Sequence, residues 1–438
     1  MKLFLVIFIF ITTTCHVQAG TDTLRLSRSE AIKIGLQNRF DLKANAYDVR
    51  IAASKIIQAK NNLFPEINGS ASLKYSPQLQ NSVIPGGVLP GFDQSQLVPL
   101  TVKSESVFGL NLSQPVFNKS LINEIKLGRI NLAIQQEKNR AEEINISFQI
   151  SQAYLNVQLR DLQKKIAADI ARRNNEYAMI AEGMYQHGSL IENYYLRAKL
   201  DRDNAKQLQK QAEQDYGLSL MELYYQLNIP KGTVVNISDP LDAIASNISD
   251  FQDKAEERTE LRQLKFRQQE DQLSLKNIKQ SVLPSVYLGA NYSQQFLSDR
   301  FNYGQGRWWS PFSYFTLNVN IPISTHLKLK GKKQEYQERI SQNELLLEQK
   351  KADINYEIQQ ARTSLSNAVL NMRNTKSSYE LSKTIFHNQQ QQYQMGAFAY
   401  SELIDTEKTL SVTERNYIQS AYELLLAQIK LQKATNNF

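Results

Sequence analysis

Cysteine, histidine and long apolar runs are scarce in this 438-residue chain. A single cysteine, Cys15, rules out a disulfide scaffold and Cys-rich zinc sites. The four histidines, His16, His187, His326 and His387, lie far apart and never share a helix face at ligand spacing. The sequence therefore offers no metal site, no His-based active site and no cofactor. A mean hydropathy of −0.45 with no apolar run long enough to cross a bilayer excludes a multi-helix inner-membrane transporter. No Gly-rich phosphate loop or nucleophile elbow appears, so nothing points to an enzyme. Proline is absent from residues 116–229 and 323–438, although eleven prolines are present elsewhere.

The net charge is +8, but basic and acidic residues are interspersed along the same segments. That is the pattern of solvated helix faces rather than a nucleic-acid stripe. The amino terminus reads as an export signal. Lys2 forms the basic n-region, residues 3–11 a short apolar h-region, and Val17-Gln18-Ala19 a small-residue cleavage site. Cys15 lies upstream of that site in a poor lipoprotein context, so cleavage after Ala19 leaves no cysteine.

The two Pro-free stretches are rich in Gln, Glu, Lys, Leu and Ala, which favour helix. A helix of some 66 residues is about 100 Å long at 1.5 Å per residue. Charge gives the complementary map. Residues 106–118, 280–298 and 308–327 carry no Asp, Glu, Lys or Arg, and 67–92 carries only Lys74. These segments alternate with period 2, one side apolar and the other polar but uncharged, which is strand. Phe108, Leu110 and Leu112 share the apolar side with Val286, Leu288, Tyr292 and Phe296, and with Phe315, Leu317 and Val319.

The order of elements occurs twice. A helix over about 27–62 precedes a strand pair over 66–115, a long helix over about 118–183, a break and a last helix over 190–228. A helix over about 253–282 then precedes a strand pair over 284–322, a helix over about 325–391, a second break and a helix over 400–436. The breaks are Tyr185-Gln186-His187-Gly188 and Tyr393-Gln394-Met395-Gly396. The chain thus divides into a signal peptide over 1–19, a first repeat over 20–228, a linker over 229–252 and a second repeat over 253–438. Leu403, Leu410, Tyr417, Leu424 and Leu431 recur at sevens, a coiled-coil period. Ile144, Phe148, Leu155, Leu159, Leu162, Ile166 and Ile170 form one stripe; Ile146, Ile150, Ala153 and Val157 form a second, offset one. Two offset stripes suit a helix held between lateral neighbours as well as a helix in a bundle core.

Uncharged alternating strands in an exported protein suggest a transmembrane β-barrel, because only helices and closed barrels satisfy the backbone in lipid. Four strands cannot close a lumen when the smallest such barrels have about 8. Three copies would supply twelve; a soluble β-domain capping a coiled coil is the competing reading.

On these grounds the chain resembles the TolC-like outer-membrane efflux channel family over nearly its whole mature length. The matching pieces are Leu26-Ser27-Arg28-Ser29-Glu30-Ala31, Leu63-Phe64-Pro65-Glu66-Ile67, Leu112-Ser113-Gln114-Pro115-Val116-Phe117, Arg258-Thr259-Glu260-Leu261, Leu283-Pro284-Ser285-Val286 and Tyr393-x-x-Gly396 followed by Leu403-Ile404-Asp405. The glycine often found after the strand-to-helix proline is missing from Asn118-Lys119-Ser120, and no tail follows the last helix, which leaves the equatorial belt to 229–252. The resemblance implies a mainly α fold with a small β part: tandem-duplicated long coiled-coil hairpins plus four transmembrane strands. It implies a homotrimer with a 12-stranded β-barrel and an α-helical barrel, in the outer membrane of a Gram-negative bacterium and extending into the periplasm. A periplasmic adaptor and an inner-membrane pump are the implied partners. The apolar strand residues would face lipid. Tyr185, Gly188 and Gly396 would mark the adaptor-docking tips. Glu402 and Asp405, with Tyr393 and Arg197 as partners, would form a cation-selective entrance. The function expected is a passive conduit for efflux or type I secretion. The alternative is a periplasmic adaptor, which should instead show one hairpin between Gly- and Val-rich β-domains, or a structural coiled-coil protein of an export complex.

Overall fold

The computed structural model describes residues 24–88, 90–91, 93–230, 233, 235–238, 251–395 and 400–438. The expected signal segment, Cys15, Gly396 and most of the 229–252 linker lie outside them. The chain is mainly helical, as expected. It divides into two compact units, one from residues 1–43, 142–255 and 354–438, the other from 44–141 and 256–353. Among the described residues, no helix is long and apolar enough to cross a membrane.

The first unit opens with β1 (Leu24–Leu26) and α1 (Arg28–Asn38). Ser27 and Glu30 close a reciprocal capping box, which fixes where α1 starts. One continuous helix was expected over 27–62, but α1 ends at Arg39, whose ψ of 130° is extended, and α2 (Phe40–Asn61) begins anew. The break is held by side chains: Arg39 Nε donates to both Asp41 carboxylate oxygens at 3.0 Å, and Asn228 Nδ2 donates to the Asn38 carbonyl at 3.0 Å. The long helix α3 (Lys119–Gln186) is followed by α4 (Glu192–Leu227), which ends on Asn228 in the left-handed region at φ 49°. A strand β6 (Val235–Ile237) pairs parallel with β1, a contact that no sequence pattern announced. The second repeat supplies α6 (Thr325–Gln394) and α7 (Tyr400–Ala434); α3 and α6 contribute to both units.

The core of this unit is the meeting of the stripes read in the sequence. Ile146, Ile150, Ala153 and Val157 of α3 are buried, with Leu223 and Leu227 of α4 and Ala421, Leu425 and Ile429 of α7. Tyr154 is fully buried and donates its hydroxyl to the Leu26 carbonyl at 2.9 Å, so β1 is tied to α3. Gly35 of α1 faces this core: a Cβ there would overlap Ile150 Cδ1 and come within 3.4 Å of the Gln226 carbonyl. Alanine gains about 1 kcal/mol over glycine in a helix interior, whereas overpacking costs about 1–3 kcal/mol. Gly35→Ala is therefore expected to destabilise by up to about 2 kcal/mol in urea melts. Gly217→Ala, where a Cβ meets nothing within 4 Å, is expected to stabilise slightly. Equal effects at the two sites would mean that α1 does not pack closely on α3.

The second unit holds the strands. β2 (Glu66–Tyr75), β5 (Ser104–Phe117), β7 (Ser285–Ser298) and β8 (Trp309–Asn320) form one antiparallel sheet in the order β2-β5-β7-β8. The two expected strand pairs are thus joined through β5 and β7, with a register shift between Pro115 and Phe117. Within the loop between β2 and β5, a short hairpin of β3 (Asn81–Ile84) and β4 (Gln96–Pro99) appears where the sequence predicted only loop. Helix α5 (Thr259–Gln280) sits close to the start of α3, where Asn123 Nδ2 donates to Asn277 Oδ1 at 3.1 Å and Gln280 Oε1 at 2.8 Å.

Candidate functional site

In the first unit, α3 leaves its helix through Gly188 at φ 71°. The Gly188 N–H donates to the Tyr185 carbonyl at 2.9 Å and the Ser189 N–H to the Met184 carbonyl at 2.8 Å. This pair of bonds is the Schellman closure, which needs a residue that tolerates the left-handed region. A Cβ at Gly188 meets no atom within 4 Å, so the dihedral alone selects glycine. Tyr185 stacks on Tyr195 with ring centroids 5.3 Å apart, and Tyr185, Ile191 and Tyr194 are exposed. The turn is therefore rimmed by apolar surface. The matching Gly396 lies outside the described residues.

Glu402 and Asp405 stand in the first turns of α7, both exposed. Arg197 of α4 brings Nη2 to 3.6 Å from Asp405 Oδ1, with both side chains more than half exposed. Such a pair contributes at most about 1 kcal/mol and is weakened by salt. The Tyr393 ring packs on a buried cluster that includes Tyr177, Ala181, Phe386 and Leu403, and its hydroxyl lies 4.0 Å from Met184 Sδ. Burial pushes the Tyr393 phenol above its ordinary range.

The same cluster holds an ion pair that sequence reading missed. Arg173 Nε of α3 donates to Glu407 Oε1 of α7 at 2.8 Å, and Arg173 Nη2 lies 2.7 Å from the same oxygen. The Glu407 side chain is 3 % exposed and that of Arg173 is 16 %. Ser411 also donates to Glu407 Oε1, at 3.3 Å. Burial pushes the neighbouring Tyr177 phenol up to about 12, with the Glu407 charge adding to the effect. Burial alone would lower the Arg173 guanidinium, but the charge and hydrogen bond of Glu407, with the charges of Glu414 and Asp169, together hold it above the arginine range. The signal was present: Glu407 sits between Leu403 and Leu410, on the apolar seam itself. A charge at a seam position calls for a buried partner.

In the second unit the strand register sorts the side chains. Leu110, Leu288, Tyr292, Phe315, Leu317 and Val319 are exposed on one face, with Phe108 also exposed and Leu112 and Val286 half-buried. Phe296 departs from the expected set. It is fully buried, covered by Tyr303 at 4.4 Å and Trp309 at 5.4 Å between ring centroids. Tyr303 of the loop between β7 and β8, together with Trp309 at the start of β8, folds over that end of the sheet, which period-2 alternation cannot reveal. The other face is polar: Asn291 Nδ2 donates to Asn111 Oδ1 at 2.7 Å, and Ser293 to Asn291 Oδ1 at 3.0 Å. Toward the strand ends of this face Lys74 pairs with Glu105 at 3.7 Å.

Residues 31–228 match the family model described as outer membrane efflux protein. The cation efflux system protein CusC of Escherichia coli O157:H7 is 23% identical over 414 residues, covering 92% of this chain and 84% of that protein. The probable outer membrane lipoprotein SilC of Salmonella typhimurium is 21% identical over 414 residues, with 92% and 84% covered. A crystal structure of CusC superposes with a TM-score of 0.76 at 19% identity, covering 96% of this chain and 95% of that one. The fold is shared over nearly the full length of both.

Proposed function

We propose that this chain, a relative of the outer-membrane efflux channels that carries their domain over residues 31–228, is the subunit of a trimeric channel. It serves as a passive conduit through the outer membrane, with its helices reaching into the periplasm. The observation that carries the reading is the sheet. It has an exposed apolar face, a polar face whose few charges stand toward the strand ends, and outer strands β2 and β8 that each lack a neighbour on one side among the described residues. Unpaired edges are not tolerated in lipid. With β2 and β8 antiparallel at the two margins, copies can join edge to edge, and three of them give twelve strands. The apolar face then meets lipid, and the polar face lines water. Heat-modifiable trimers migrating in the outer-membrane fraction are the expected result. A monomer released with the soluble periplasmic fraction would favour a periplasmic adaptor instead.

The partners of this reading are an adaptor at the hairpin tips, with Tyr185, Gly188 and Gly396 at the contact, and an inner-membrane pump. The entrance is the proposed seat of selectivity. Threefold symmetry would gather six carboxylates from Glu402 and Asp405, with Arg197 holding Asp405 at rest. Crowded like charges attract cations. The double variant Glu402→Ala with Asp405→Ala is expected to lose most cation selectivity and trivalent-cation block in planar bilayers. Arg197→Ala is expected to raise the frequency of opening, most clearly at low salt, where the exposed pair is least screened. Unchanged selectivity and block in the double variant would reduce the two acids to a solvated helix start.

A further inference from the structure

We infer that the polar face of the four-stranded sheet carries a binding site for aromatic solutes, built on Phe312 and Tyr314 of β8. The inference rests on the channel reading, in which this face lines the lumen. By register, Phe312 stands opposite Ser293 and Tyr314 opposite Asn291. The rows continue to Gly109 and Asn111 on β5, then to Ser70 and Asn68 on β2. Both rings therefore point to the side opposite Phe315, Leu317 and Val319, among Ser, Asn and Gly. They are 41% and 51% exposed, and neither has a ring partner among the described residues. Neither ring belongs to a buried apolar cluster among the described residues.

The surroundings fit a ligand better than a core. A Cβ at Gly109 would come 2.6 Å from Ser293 Oγ, so glycine is what leaves room for the Ser293 side chain in the row that ends on Phe312. In the next row Asn111 is exposed and Asn291 half-buried; Asn291 Nδ2 donates to Asn111 Oδ1, and the buried Ser293 hydroxyl donates to Asn291 Oδ1. The charges of the face, Glu66, Lys74 and Glu105, stand toward the strand ends, Lys74 and Glu105 paired with each other. Exposed ring faces beside neutral hydrogen-bonding groups suit a planar aromatic solute with hydroxyl substituents, which stacks on the rings and bonds to the amides. Three copies would present six such rings at one level of the lumen.

The test uses the full-length protein in planar bilayers, with 4-nitrophenyl glucoside added from the side of the β7–β8 loop and glucose as the ring-free control. The aromatic glucoside is expected to interrupt the current in a concentration-dependent way, and glucose at the same concentration is not. In Phe312→Ser with Tyr314→Ser, the half-blocking concentration is expected to rise about tenfold, the loss of two ring contacts. Open-channel conductance should be unchanged or slightly higher. Phe312→Leu with Tyr314→Leu keeps apolar bulk for folding, removes the ring faces, and should give the same rise. Equal block by glucose, or an unchanged half-blocking concentration in conducting variants, would overturn the aromatic site while leaving the channel reading intact. Failure of the wild-type protein to conduct at all would overturn the channel reading and this inference with it.

Discussion

Replacing Glu407 with alanine is expected to lower the thermal midpoint by roughly 10 °C, read by circular dichroism on detergent-solubilised protein. The guanidinium of Arg173 is mostly buried and takes its shortest contacts from Glu407. Removing the carboxylate leaves that charge without its counter-ion in a low-dielectric site, which costs about 3–5 kcal/mol. Arg173→Ala should be as harmful for the mirrored reason, since the Glu407 side chain is only 3 % exposed. Replacing both, as Arg173→Met with Glu407→Leu, should recover most of the loss, because an apolar pair of similar volume has no desolvation penalty. The Tyr177 phenol gives an independent readout: part of its upward displacement comes from the Glu407 charge, so Glu407→Ala should bring its titration downward from about 12. A single variant that melts within about 2 °C of the parent would show that water reaches the pair.

Gly188→Val is expected to abolish efflux while leaving trimers intact. The residue sits at φ 71°, where a β-branched side chain is strained by about 1–2 kcal/mol. No atom lies within 4 Å of the added Cβ, so the strain acts on the turn and not on the packing. The chain relieves it by giving up the closure from Ser189 to Met184, which re-aims Tyr185, Ile191 and Tyr194 at the proposed docking rim. Gly188→Asn should retain most of the activity, since asparagine tolerates this region, as Asn228 does at the end of α4. Dye accumulation in cells lacking their own channel, with trimer assembly followed on native gels, separates the outcomes. Full efflux by Gly188→Val would remove this turn from the adaptor contact.

Much of the architecture was legible because it is written in local periodicity. The charge-free alternation at 285–298 and 309–320 marks strands, since a half-exposed strand must alternate. The glycine after Tyr185 marks the end of α3 for a reason of backbone sterics alone. The offset stripe from Ile146 to Val157 proved buried along its whole length. Less was legible at the candidate site. Arg197 lies 3.6 Å from Asp405 and Tyr393 packs on a buried cluster, contacts between separate helices that no local pattern specifies.

What the sequence determined by itself is the kind and order of the elements: long helices where proline is absent, strands where charge is sparse and apolar residues alternate, and a turn where glycine accepts a positive φ. Each follows from interactions between residues a few positions apart. Tertiary structure alone decided which distant pieces meet. It joined β5 to β7 into one sheet, laid β6 beside β1, covered Phe296 with Tyr303 and Trp309, and set Arg173 against Glu407 across 234 positions. Period-2 and heptad patterns say which face of an element is apolar, but many partners could cover that face equally well. The choice among them is made by shape and charge complementarity between surfaces that exist only once the chain has folded.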